Sequence, residues 1–173
     1  MKIALLISVL FLISPPAFAQ QKDAFEVARK GTLAEMEILY GENPSITETL
    51  NSSKSNLLIL AAYYGNLDVA LFLCEKTKNI DYNSGRGTAL MAAVMNGNLD
   101  LVNGLLLHHA NTDLIDEDGK TALIYATFFN KNQIATALIK AGANQQLRDH
   151  DKKSALDYAR FNQNTALTIL LDQ

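Results

Sequence analysis

The 173-residue sequence holds a single cysteine, Cys74, three histidines and three prolines. One cysteine closes no intramolecular disulfide, so the fold must be held by its core alone. The histidines are His108, His109 and His150, and no HExxH, paired CxxC or glycine-rich phosphate loop accompanies them. No catalytic or metal-binding signature is therefore legible. Lysines and arginines are scattered and the net charge is −3, which argues against a nucleic-acid partner. No apolar run reaches the length a helix needs to cross a hydrocarbon core of about 30 Å.

The longest apolar run lies at the start. Met1-Lys2 is a short basic opening, Ile3–Ile13 is apolar except for Ser8, and Ala17-Phe18-Ala19 is a small-x-small site before Gln20-Gln21. This order reads as a secretory signal peptide over residues 1–19, cleaved after Ala19. Pro15-Pro16 favours processing over a retained anchor. The reading puts a mature domain of residues 20–173 in the periplasm. Eukaryotic secretion is the alternative, and only there would the Asn51-Ser52-Ser53 sequon matter.

What the chain does have is a period. Residues 116–144 run Asp-Glu-Asp-Gly turn chemistry, a capping Thr121, an apolar stripe of Ala122, Leu123 and Ala126, a break at Asn130, and a second stripe of Ile134, Ala135, Leu138 and Ile139 closed by Gly142. Each helix would be too short to hold in water alone, so neighbours must bury it. Ala61, Ala93, Ala126 and Ala159 recur at 32, 33 and 33 residues. The inter-helix turn recurs as Gly31, Gly65, Gly97, Asn130 and Gln163 at 34, 32, 33 and 33. The capping position reads Asn56, Thr88, Thr121 and Ser154.

This period, with T-x-L-x-x-A opening first helices, G-N-L-D opening two second helices and A-G-A-N closing one, resembles the ankyrin repeat. The resemblance implies an all-α solenoid of about five helix-turn-helix repeats with β-turn fingers, over approximately 23–50, 51–82, 83–115, 116–148 and 149–173. The family's proline after the capping Thr is Leu57, Ala89, Ala122 and Ala155 here, and its usual His two residues on is Ile59, Met91, Ile124 and Asp157. Repeat one opens directly with a helix carrying Glu26, Arg29 and Lys30, as suits a polar N-terminal cap. Pro44 ends its second helix and opens a connector, Ser45–Lys54, expected to be the most mobile loop. Cys74 falls on a core stripe and reads as a buried small hydrophobe. Gly104 sits inside a helix, where close backbone approach is the simplest reason.

The resemblance also implies that the residues before each inter-helix turn face a concave groove, with the finger tips beside them. Those groove positions include Tyr63, Tyr64, Met95, Asn96, Phe128, Phe129 and Phe161. Aromatic residues on a surface the fold leaves free suggest a binding site; the competing reading tucks one of each pair between repeats. The rim candidates are Ser84, Glu117, Asp118, Lys120, His150 and Asp151. His150 with Asp149 and Asp151, and the trio Asp116, Glu117 and Asp118, have a second reading as weak cation sites, but turn chemistry explains both more cheaply.

The expected function is non-catalytic binding of a protein partner in the periplasm. The chain would act as an inhibitor or immunity partner of a cell-envelope enzyme; the alternative is an envelope scaffold or stress-protection accessory, with a metal-dependent enzyme as the third reading. No cofactor, metal, nucleic acid or membrane association after signal removal is expected, and the unbound chain is expected to be monomeric.

Overall fold

The computed structural model describes residues 23–172. The signal-peptide reading of residues 1–19 lies outside them. Among the described residues there are ten α-helices in five pairs and no strand. The pairs are α1 (Ala24–Lys30) with α2 (Leu33–Glu42), α3 (Leu57–Tyr64) with α4 (Leu67–Lys76), α5 (Ala89–Asn96) with α6 (Leu99–Leu107), α7 (Ala122–Phe128) with α8 (Asn132–Lys140), and α9 (Ala155–Phe161) with α10 (Thr165–Leu171). First helices pack on first helices, α1 on α3 on α5 on α7 on α9, and second helices form a parallel row, α2 on α4 on α6 on α8 on α10.

The starts of the first helices follow from one repeated bond. Asn56, Thr88, Thr121 and Ser154 each accept a hydrogen bond from the amide three residues on, at 2.9, 3.4, 3.2 and 3.3 Å. Each bond satisfies a backbone donor that the helix leaves open. The four period-marking alanines have no exposed surface, so the first-helix row packs at close range. Leu90, Leu101, Leu105, Leu123 and Leu138 are fully buried between the rows, and each would cost roughly 2–5 kcal/mol if cut to alanine.

The helix ends divide into two kinds. Gly65, Gly97, Asn130 and Gln163 are left-handed, with φ of 72°, 83°, 56° and 55°. Gly31, at the same register, is not: its φ is −77°. Thr32 and Glu35 form a capping box immediately after it, so α2 starts on its own signal. A Cβ on Gly31 would sit 2.6 Å from the Val27 Cα, and closeness rather than turn geometry explains this glycine. Gly104 has a comparable reason, since a Cβ there would collide with the Leu71 side chain.

The connector after Pro44 differs from the sequence expectation. Pro44–Glu48 forms a 3-10 helix, capped by the Asn43 side chain accepting from the Ser45 amide at 3.1 Å. Thr47 is buried, and Glu48 accepts from the Lys78 amide of the next repeat at 3.1 Å. Pro at the first position preorganises such a turn, so half of this segment is docked rather than loose.

Polar side chains link neighbouring repeats. Asp81 accepts from the Asn111 amide and Asp113 from the Asn144 amide, both at 2.8 Å. Asn66 donates to the carbonyls of Val27, Ala28 and Gly31 at 3.2, 3.3 and 2.9 Å. Asn162 donates to Thr127 and Phe128 carbonyls, both at 3.0 Å. Among the described residues no buried side-chain polar atom is left without a partner.

Candidate functional site

One face of the array is made by the C-terminal ends of the first helices and by the fingers that precede them. Its fingers share an anchor that the sequence reading missed. Asn51, Asn83, Asp116 and Asp149 recur at 32, 33 and 33 residues, and each turns its side-chain oxygen onto amides of its own finger at 2.9–3.0 Å. These short bonds shape the turns.

Fingers three to five are also laced together at their tips. The Glu117 amide donates to the Gly85 carbonyl at 2.7 Å, and one repeat later the His150 amide donates to the Asp118 carbonyl at 3.0 Å. Glu117, Asp118, His150 and Asp151 stand exposed at this edge; Lys120 is half-buried and pairs with Asp118 at 3.2 Å. Asp149 is not available to a cation beside His150, because the Tyr158 hydroxyl and the Lys153 amide hold its carboxylate. Among the described residues no three acidic, histidine or cysteine side chains are gathered as a metal site.

Behind the fingers lies the aromatic floor. Tyr63, Tyr64, Phe128, Phe129 and Phe161 are all exposed, from 39% at Phe129 to 77% at Phe161. The competing placement between repeats is thus not what the chain adopts. Met95 is half-buried, and Asn96, though exposed, spends its amide on the Tyr63 carbonyl at 3.2 Å. Asn96 thereby braces the neighbouring repeat.

The aromatics form two groups. Tyr63 and Tyr64 meet edge to face at 5.4 Å. Phe128 meets Phe129 edge to face at 5.0 Å and Tyr158 at 5.4 Å, while Phe129 stacks on Tyr125 at 6.1 Å. Lys153 lies over both Tyr158 and Phe161, 5.6 and 5.7 Å from their centroids. Sequence reasoning named the phenylalanines and passed over Tyr125 and Tyr158, which carry them. Both tyrosines donate to the anchoring aspartate nine residues earlier, Asp116 and Asp149, at 2.5 Å. Burial first, and then the facing carboxylate, push both phenols well above the usual tyrosine range. Neither is poised to act as a base, so both act as rigid supports.

Among the described residues the arrangement offers exposed rings at the ends of α3, α7 and α9 and exposed polar side chains on the fingers. A family model described as ankyrin repeats in three copies matches residues 24–113 and again 90–173. The chain belongs to the ankyrin-repeat family. Ankyrin repeats are protein-binding modules, typically non-catalytic, and the all-helical array of this chain is one. This ankyrin-repeat chain is 30% identical over 113 residues to mouse "Ankyrin repeat and SAM domain-containing protein 6", covering 64% of this chain and 13% of that protein. It is 42% identical over 64 residues to "E3 ubiquitin-protein ligase hecd-1" of Caenorhabditis elegans, covering 36% of this chain and 2% of that protein. The chain thus spans only a small part of the length of these curated relatives, and the likeness concerns their repeats.

Proposed function

We propose that this ankyrin-repeat chain is an exported, periplasmic inhibitor or immunity partner that occludes a cell-envelope enzyme through its finger-and-groove face. The observation that carries the reading is the exposure of Tyr63, Tyr64, Phe128, Phe129 and Phe161 at the C-terminal ends of α3, α7 and α9. Rings of this size cost free energy in water, about 25 cal/mol per Å² of apolar surface, and are the side chains that dominate binding hot spots. The rigid tyrosine–aspartate supports beneath Phe128 and Phe129 preorganise that surface, which lowers the ordering cost of binding.

The test is affinity capture from the native cell envelope with the tagged chain, beside a variant carrying alanine at Tyr63, Tyr64, Phe128 and Phe129. An enzyme held by the native chain, lost from the still-helical variant and slowed by the native chain in its own assay supports the reading. Capture without any effect on the enzyme's activity makes the chain a scaffold. Recovery of the native chain from the cytoplasmic fraction alone overturns the periplasmic setting.

A further inference from the structure

The N-terminal half of the groove differs from the rest, and the difference begins in finger three. In fingers two, four and five the first residue closes the turn on the fifth, through the amides of Asn51, Asp116 and Asp149 to the carbonyls of Ser55, Lys120 and Lys153 at 3.0–3.1 Å. Finger three is one residue tighter: the Ser84 amide donates to the Gly87 carbonyl at 3.2 Å. Its left-handed residues are Gly85 and Gly87, with φ of 90° and 119°, on either side of Arg86, whereas the other fingers place their left-handed residue, Lys54, Gly119 or Lys152, at the register of Arg86 itself. Glycine is what permits this turn.

Two consequences follow. The Ser84 amide, which at the register of Glu117 and His150 would tie finger three to finger two, is spent inside its own finger. Among the described residues the tips of fingers two and three lack that amide-to-carbonyl lacing, although the Tyr82 hydroxyl donates to the Lys54 carbonyl at 2.8 Å, and a cavity of about 350 Å³ there is lined by Tyr63, Tyr64 and Met95. Arg86, carried between the two glycines, and Arg29, from α1, both line it. No carboxylate does. Arg29 keeps Glu26 at 3.4 Å, but Glu26 is held more closely by Lys30 at 2.5 Å. Among the described residues Arg86 has no ion pair.

We propose that this cavity is a carboxylate pocket for the partner protein. Arg86 and Arg29 receive an aspartate or glutamate side chain of an extended segment, and an apolar neighbour of that residue lies on Tyr63 and Tyr64. The inference rests on the protein-binding reading of the groove and names its specificity at one end. Guanidinium groups present paired donors matched to a carboxylate, the hydroxyls of Ser53 and Ser55 add lining donors, and the volume is in the range of a ligand pocket. The acidic edge at Glu117, Asp118 and Asp151 repels the same carboxylate from the other half, which fixes the direction in which the segment lies.

The experiment is selection of a randomised displayed peptide library on the purified full chain, followed by affinity measurement of the enriched peptides. Enrichment of Asp or Glu beside an apolar residue is expected, with about tenfold weaker binding to Arg86→Gln and to Arg29→Gln. Arg86→Lys should retain part of the affinity, and circular dichroism should show each variant as helical as the native chain. Selected peptides without acidic enrichment, or acidic peptides that bind Arg86→Gln and Arg29→Gln unchanged, would overturn the pocket. If such peptides lose binding to Phe128→Ala with Phe129→Ala, the groove reading stands and the carboxylate pocket alone fails; if no peptide depends on any groove residue, both fail. Displacement of the peptide by inorganic phosphate or acetate at equal concentration would make this a small-anion site and also overturn the proposal.

Discussion

The Tyr158 hydroxyl donates to the Asp149 carboxylate at 2.5 Å, joining the first helix of repeat five to the base of its own finger. Asp149 in turn accepts the Lys153 amide that shapes the finger, and the Tyr158 ring meets Phe128 of repeat four at 5.4 Å. One side chain thus ties finger, helix and groove surface together. Tyr125 with Asp116 repeats the first of these links one period earlier.

Tyr158→Phe removes the hydroxyl and leaves a buried carboxylate short of a donor, so a loss of roughly 1.5–3 kcal/mol is expected. Chemical denaturation measures it. Because the phenyl ring is kept, the Phe128 contact should survive and partner binding should change much less than stability.

Asp149 also sets an acid limit. Burial pushes its carboxyl up, but the Tyr158 hydroxyl, the Lys153 amide and the Lys120 charge outweigh it and hold the group below the ordinary carboxylate range. The unfolded chain titrates near ~3.9, so the stabilisation is full above about pH 4 and is lost as pH falls through the folded value. Asp149→Asn should flatten the decline of stability with acid over that window, as followed by thermal unfolding at a series of pH values; an unchanged acid limb would show that other carboxylates govern it.

Cys74 is buried in α4, and desolvation pushes its thiol up to about 12. The thiolate is the reactive form. Native chain should therefore resist alkylation at neutral pH, and denaturant should expose one reactive thiol; rapid labelling of folded chain would contradict this placement.

Asn66→Ala leaves the carbonyls of Val27, Ala28 and Gly31 without the side-chain amide that serves all three. A cost of about 1–2 kcal/mol is expected, felt first in repeat one, whose α1 holds two of the three carbonyls. Amide exchange should quicken in α1 and α2 and stay slow in α5 to α8.

Local chemistry made most of the fold legible: capping side chains, period-marking alanines and left-handed turn residues recur at fixed register and act within a few residues of themselves. Gly31 recurs at the register of the inter-helix turns, yet its constraint is the approach of Val27, which only coordinates reveal. The Ser45–Lys54 connector misled because Thr47 and Glu48 find their partners in packing and in Lys78, a repeat away. The exposed aromatics were visible through their period. The Asp116–Tyr125 and Asp149–Tyr158 supports carried a readable signal, the same nine-residue spacing 33 residues apart, whereas the cavity between Arg29 and Arg86 joins different repeats through a turn one residue shorter than its neighbours.

The central claim is that exposed rings on the groove bind a protein. Its most direct measurement is the dissociation constant for a captured partner protein, by calorimetry, with native chain and with Phe128→Ala plus Phe129→Ala. Loss of the ring contacts with Tyr158 and Tyr125 should cost about 1–3 kcal/mol of stability, so circular dichroism must show the variant still folded. A dissociation constant raised about thirtyfold or more, the hot-spot scale, is the expected result; an unchanged constant in the folded variant would contradict the groove as the binding site.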